Sequence, residues 1–171
     1  MVLTKSELIA LLQQEVRILL HLTTKVDRSQ LDYRPTPKQR STIELLRYLS
    51  MMGPTLVRYT LTGSQDPALW GDAAKAADAR DFDQTVAAIA TQHDEYAALL
   101  ASVSDADLRF ETESPLGGKI SRGFALVSAV LCGCAAYRTQ LFLYLKACGR
   151  EELTTMNLWA GMDAPAAAPS A

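Results

Sequence analysis

The sequence predicts an all-α protein, and the economical architecture is a four-helix bundle with a long crossover between the second and third helices. Apolar residues recur at helical spacing through most of the chain, whereas strand patterns are scarce. The segment SQDPALWGDAAKAADAR separates the second helical pattern from the third and predicts the crossover, with no more than a short helical turn. We expect one domain over residues 1–162, followed by a disordered tail over residues 163–171.

Capping signals predict where the first two helices begin. T-K-S-E starting at Thr4 and S-T-I-E starting at Ser41 both have the form of a capping box. The first helix is expected to fade near Asp27, and LDYRPTPKQR then reads as an extended linker, because residues before proline disfavour helix. The second helix is expected to end around Gly63.

The third helix is predicted to begin near Asp81 or Asp83 and to run to about residue 102. A small hairpin is expected about Gly117 and Gly118. The fourth helix is predicted from Ser121 to Lys146, and its circumference is uncharged for four turns. Such a helix is buried on more than one side, so it lies either at the bundle centre or against a second subunit. We therefore expect a homodimer, with Leu131 and Phe142 of this helix at the interface.

Composition excludes several classes of function. Hydrophobic residues make up 49% of the chain, as in ordinary globular proteins. The formal net charge is -2 and the sequence has no cluster of basic residues, so nucleic-acid binding is not expected. The N-terminal segment carries charges where a signal peptide needs an apolar region. The uncharged run GFALVSAVLCGCAAY is shorter than the roughly 20 residues that span a bilayer, so no membrane association is expected. An odd cysteine count without a spaced framework is typical of a cytoplasmic protein.

The three cysteines do not predict a metal or redox site. On a helix, Cys132 and Cys134 project about 200° apart, so they cannot share a metal ion or form an unstrained disulfide. Cys148 lies about four turns further along. The histidines, His21 and His93, lack any metal-ligand spacing.

Two other features leave alternatives open. Glu15 falls within the apolar stripe of the first helix; it either faces a pocket with Tyr48 or Tyr137, or reaches solvent or an arginine. On the fourth helix, Gly133, Tyr137 and Gln140 share a face that either leaves a cavity or packs closely against a neighbouring helix.

Two stretches carry a resemblance to a known family. LDYRPTPKQRSTIELLRYLS resembles the linker and second helix of the DinB/YfiT-like family, and YRTQLFLYLKACG resembles its last helix. The resemblance covers about residues 5 to 150 and implies a four-helix bundle that is often dimeric. Many members bind a divalent metal through three histidines, and some are thiol S-transferases or related enzymes.

The positions that correspond to those histidines hold Tyr48, Gly133 and Tyr137, whereas Arg138 and Gln140 match the family pattern. A neutral phenol is a poor metal ligand and glycine offers none, so we expect no metal and no cofactor. The first hypothesis is a non-enzymatic small-molecule-binding or structural homodimer, with a pocket that involves Tyr48, Tyr137, Gln140 and Glu15. The alternative is a metal-dependent thiol transferase or hydrolase with a displaced metal site that uses Glu15, His21 or His93.

Overall fold

The protein is an all-α bundle in the computed structural model, which describes residues 3–63, 66–114 and 117–164. The helices are α1 (Lys5–Thr23), α2 (Thr42–Thr62), α3 (Pro67–Asp78), α4 (Phe82–Leu99) and α5 (Arg122–Ala147). Strands β1 (Glu111–Glu113) and β2 (Lys119–Ser121) form a small antiparallel hairpin. The predicted fold class is confirmed, and the predicted hairpin lies where the sequence placed it.

The helix starts follow local chemistry. The Thr4 side chain accepts from the Glu7 amide while the Glu7 carboxylate accepts from the Thr4 amide, which completes a capping box at α1. Ser41 and Glu44 form the same arrangement at α2. α5 ends before Gly149, whose φ of 90° is the left-handed conformation that follows many helices.

The crossover between α2 and α4 differs from the expected short helical turn, because it contains the 12-residue helix α3. Asp66 caps this helix by accepting from the Ala68 amide, and Pro67 occupies its first turn, where no N–H is needed. The alanines that follow favour helix, and its inward stripe is made mostly of these small residues. For that reason the periodicity of large apolar residues did not reveal the helix.

α3 runs antiparallel to α2 and packs along it. At one end, Arg47 of α2 donates from Nε to the Arg80 carbonyl at 2.8 Å, just beyond the end of α3. At the other end, the Tyr59 hydroxyl donates to the Asp66 carbonyl at 2.6 Å, just before α3 begins. The C-terminus of α3 therefore lies beside the N-terminus of α2.

The core lies where α1, α2, α4 and α5 meet. Its fully buried members include Leu8, Leu12, Leu22, Leu45, Leu46, Ile89, Tyr96, Leu126 and Leu141. These are the inward stripes of four amphipathic helices, and burying them away from water is the dominant stabilising term.

α5 is continuous from Arg122 to Ala147, with a π-helical segment at Leu126–Leu131. One side of it is exposed, and we call this side the outer face: Phe124, Ser128, Ala129, Cys132, Ala136, Thr139 and Leu143. Phe142, expected at an interface, is instead only 9% exposed and packs in the core, whereas its neighbour Leu143 is 58% exposed. Helical spacing from Cys132, Ala136 and Thr139 places Leu143 outward.

By length and composition alone, α5 could cross a bilayer. One such helix is weak evidence, because the core helix of a soluble bundle meets the same criterion.

The C-terminal segment returns to α1 after α5 ends. Its π-turn, Met156–Ala160, packs there, and Asn157 is buried within hydrogen-bonding distance of His21. Asp163, expected to begin a disordered tail, accepts from Lys25 at 2.8 Å and from Asn157 at 2.9 Å. The rest of that predicted tail, from residue 165, lies outside the described residues.

Candidate functional site

A cavity of about 400 Å³ lies between α2, α3 and the linker that precedes α2. Its size is within the usual range for small-molecule sites. The lining residues are Arg40, Glu44, Tyr48, Met51, Trp70, Ala74, Ala77 and Asp78. They combine aromatic rings, small alanines that leave room, and charged groups. This combination suits a small organic molecule with an apolar body and a polar end.

Tyr48 forms the inner wall of the cavity. Its ring meets that of Tyr137 edge-on with centroids 4.9 Å apart, and Trp70 lies 6.0 Å from it on the other side. Burial raises the pKa of Tyr48 to about 12, and the neighbouring Tyr137 phenol adds to the shift. Tyr48 is therefore a neutral phenol at physiological pH, which makes it an aromatic surface and a hydrogen-bonding group rather than an anion.

Arg40 covers the same ring from the linker. Its guanidinium lies 4.0 Å from the centroid of Tyr48, a cation–π geometry. Stacking uses the flat face of the guanidinium and leaves its N–H groups pointing outward in the plane. In the described part of the chain, no carboxylate forms an ion pair with Arg40.

The backbone at Arg40 is held in place from α5. Gln140 donates from Nε2 to the Tyr144 hydroxyl, which in turn donates to the Arg40 carbonyl at 3.0 Å. Tyr144 is 2% exposed, and its ring meets Tyr33 edge-on at 5.6 Å. Gln140, predicted in the pocket, thus does not line it; this residue supports the linker segment that carries Arg40.

Tyr48, Gly133 and Tyr137, the three positions at which the resemblance implies histidines, do not offer a set of ligands that fits a metal ion. Tyr48 and Tyr137 offer phenols, of which the first is held neutral by burial. At Gly133, a Cβ atom would lie 3.5 Å from Cε and 3.7 Å from Sδ of Met52, so a buried thioether fills this place. Among the described residues, no group of three His, Cys, Asp or Glu could hold a metal ion.

Glu15 lies away from the cavity and pairs with an arginine, one of the two alternatives that the sequence left open. Arg138 donates from Nε to Glu15 at 2.6 Å and from a second nitrogen at 3.1 Å. It also donates to the Leu158 carbonyl. The side chain of Glu15 is 14% exposed and that of Arg138 is 10% exposed. A carboxylate buried to this degree needs such a partner.

The remaining candidates are separate from one another. His93 is beside Asp94 on the exposed side of α4, and His21 faces Asn157 and Asp163. All three cysteines are free; Cys132 is exposed, and burial raises the pKa of the Cys134 thiol to about 12. These groups do not assemble into a displaced site.

Of the eight cavity residues, sequence reasoning placed only Tyr48 at a pocket and missed the other seven: Arg40, Glu44, Met51, Trp70, Ala74, Ala77 and Asp78. Arg40 belonged to a segment treated only as a linker, and Trp70 and Asp78 belonged to a crossover whose helix was not recognised. A capped, alanine-rich segment that carries a tryptophan was the available signal for α3.

Comparison with known proteins agrees with this fold. A family model described as the DinB superfamily matches residues 11–130. A crystal structure of a DinB-like protein from Bacillus subtilis, YjoA, is similar with a TM-score of 0.65 and 15% identity, over 86% of this chain and 95% of that one. No curated protein matches. Because the family model spans well over half of the sequence, the chain belongs to the DinB superfamily.

Proposed function

We propose that this protein is a DinB-like bundle that has lost the family's metal site and binds a small organic molecule in the cavity beside Tyr48. The single observation that carries the proposal is an aromatic wall beside a cavity, at a place where the resemblance implies metal ligands. Tyr48 contacts both Tyr137 and Trp70, and a cavity of about 400 Å³ opens beside it. Aromatic walls with a few charged groups bind ligands without a metal. The proposal places the protein in the cytoplasm, consistent with its free cysteines.

The alternative, an enzyme with a displaced metal site, has less support. Glu15 is committed to Arg138, and the two histidines lie on separate surfaces with their own partners. Since no donor cluster forms among the described residues, we favour binding over catalysis.

Ligand binding can be tested with tryptophan fluorescence, because the chain has two tryptophans and only Trp70 lines the cavity. In Trp159→Phe, the neutral quencher 4-nitrobenzyl alcohol should quench Trp70 with saturation. In Trp70→Phe, the remaining Trp159 is 73% exposed and should show only linear, collisional quenching.

Ala74→Phe, introduced into the Trp159→Phe protein, should fill the cavity and abolish the saturating phase. The matched control Ala87→Phe, at an exposed position of α4, should leave it intact. Linear quenching of Trp70 that Ala74→Phe does not alter would contradict the proposal.

We further propose that the outer face of α5 packs against the same face of a second copy. Its large residues, Phe124 and Leu143, lie at the ends, and small residues lie between them. Phe124 and Leu143 are equally far along the chain from a point between residues 133 and 134, and so are Ser128 and Thr139. A twofold axis at that point would place Phe124 opposite Leu143 of the second copy and Ser128 opposite its Thr139. An antiparallel twofold arrangement would therefore place large residues against large ones, which makes the face self-complementary.

Leu143→Glu should convert this dimer to a monomer by placing a carboxylate in the interface. Sedimentation velocity would measure the change, and Thr91→Glu, at an exposed position of α4, is the control. A short bis-maleimide should also join two chains through the exposed Cys132, but not in the Leu143→Glu protein. A monomeric parent protein, or a dimer that Leu143→Glu leaves intact, would reject this interface.

A further inference from the structure

The charged groups of the cavity carry an inference about its ligand, which rests on the proposed function. Three charges line the cavity: Arg40, Glu44 and Asp78. Glu44 is already occupied, because its carboxylate accepts from the Ser41 amide at 2.7 Å and pairs with Arg34 at 3.3 Å. The other two form no ion pair within the parts of the chain that the structure describes.

Asp78 brings a carboxylate to the cavity from the end of α3. It is the last residue of α3, where the helix dipole presents partial negative charge from unsatisfied carbonyl groups. A carboxylate at this end of a helix is destabilising unless a cation lies nearby. Lys75 is the basic residue in this last turn, but it does not line the cavity, so a bound ammonium group would be the cation that Asp78 meets inside the cavity. Arg40, which lies over Tyr48 and forms no ion pair among the described residues, can complement a carboxylate in the same way.

The two charges reach the cavity from different segments, Arg40 from the linker before α2 and Asp78 from the end of α3. Arg40 directly precedes the N-cap of α2, and Asp78 ends α3 beside it. Trp70 lies eight residues before Asp78 on α3, which corresponds to about 12 Å along the helix axis. Asp78 and Trp70 are thus separated along α3, Arg40 lies over Tyr48, and Trp70, Met51 and Ala74 supply apolar surface to the same cavity.

We propose that the cavity binds an α-amino acid with an apolar, preferably aromatic, side chain. The ligand carboxylate pairs with Arg40, its ammonium group pairs with Asp78, and its side chain lies along Met51 toward Trp70. In an α-amino acid, the ammonium group, the carboxylate and the apolar side chain are all attached to one carbon. One molecule can therefore contact Asp78, Arg40 and the aromatic lining together. A ligand with its two charges at opposite ends of a ring does not match this arrangement.

Four compounds test the proposal by their ability to displace 4-nitrobenzyl alcohol from Trp70 in Trp159→Phe. The first is phenylalanine. Phenethylamine lacks its carboxylate and 3-phenylpropanoate lacks its ammonium group. The fourth compound, 4-(aminomethyl)benzoate, has both charged groups but at opposite ends of the ring. Phenylalanine should bind about tenfold more tightly than each of the others, since each of those loses or misplaces a charge-assisted contact.

Charge variants in the Trp159→Phe protein assign the two ends of the ligand. Arg40→Gln should weaken phenylalanine and 3-phenylpropanoate about tenfold and leave phenethylamine unchanged. Asp78→Asn should weaken phenylalanine and phenethylamine and leave 3-phenylpropanoate unchanged. Arg17→Gln and Asp72→Asn, exposed and outside the cavity, are the matched controls and should change nothing.

The outcomes separate this inference from the proposed function. Saturable quenching that phenylalanine displaces no better than the other three compounds would overturn the amino-acid inference and leave a small-molecule site in place. Equal effects of Arg40→Gln on all four compounds would also overturn it. If no saturable quenching occurs and calorimetric titration with phenylalanine gives no heat, both proposals fail.

Discussion

Gly53→Ala should lower the free energy of unfolding by about 3 kcal/mol, although alanine normally favours a helix interior over glycine by about 1 kcal/mol. A Cβ atom at this position would lie 1.9 Å from the Tyr96 hydroxyl and 3.1 Å from Cζ of the same ring. Tyr96 is 1% exposed and spans the space between α4 and α2, so it has little room to move. The close approach of these two helices therefore depends on glycine.

Urea unfolding measures this change, and the structure supplies two comparisons. Gly71→Ala, within α3 and with nothing within 4 Å of the added Cβ, should instead stabilise by about 1 kcal/mol. Combining Gly53→Ala with Tyr96→Phe removes the closest atom, so the pair should cost less than the sum of the two single changes. A neutral Gly53→Ala, or strictly additive losses, would show that the two helices are not in this contact.

Glu15→Gln should destabilise the protein by about 3–5 kcal/mol, because it leaves the guanidinium of Arg138 buried without its anion. Arg138 is held by two hydrogen bonds to Glu15. Among the described residues, no other carboxylate pairs with Arg138, so none could balance its charge in the variant. The contact also joins α5 to the C-terminal segment through the Leu158 carbonyl. We therefore expect that segment to lose protection from hydrogen exchange in the variant.

Asp83→Asn serves as the control, since Asp83 pairs with Arg28 on the surface with side chains 69% and 63% exposed. It should cost no more than about 1 kcal/mol. Replacing the buried pair together, as Glu15→Leu with Arg138→Met, should restore much of the stability that Glu15→Gln loses. Equal effects of Glu15→Gln and Asp83→Asn in urea unfolding would contradict the burial of this pair.

The fold was predictable because its signals are local. The capping boxes at Thr4 and Ser41 and the glycine after α5 each act within a few residues, so the sequence displays them directly. α3 was missed because its inward stripe consists mostly of alanines, which pack against α2 but stand out less in a sequence than large apolar residues. Leu143 shares its exposed side with Cys132, Ala136 and Thr139 at helical spacing, but which side of an uncharged helix faces outward depends on packing.

The site was harder to predict because it depends on how helices pack. Helical angle placed Tyr137 and Gln140 on one face, yet only the first contacts Tyr48, while Gln140 bonds to Tyr144 one turn away. The partner of Glu15 lies 123 residues along the chain. Sequence reasoning could identify an arginine as one alternative, but pairing it with Arg138 required the arrangement of α1 against α5.

The most direct test of the central claim, that this bundle works without the family's metal, is the elemental metal content of untagged protein purified without chelator. We predict far less than one equivalent of zinc, nickel, manganese or iron per chain, since a neutral phenol at Tyr48, a second phenol at Tyr137 and the Met52 thioether beside Gly133 lie where the resemblance implies histidine ligands. One equivalent of metal per chain, retained after gel filtration, would contradict the account. The metal-dependent enzyme would then be the better-supported function.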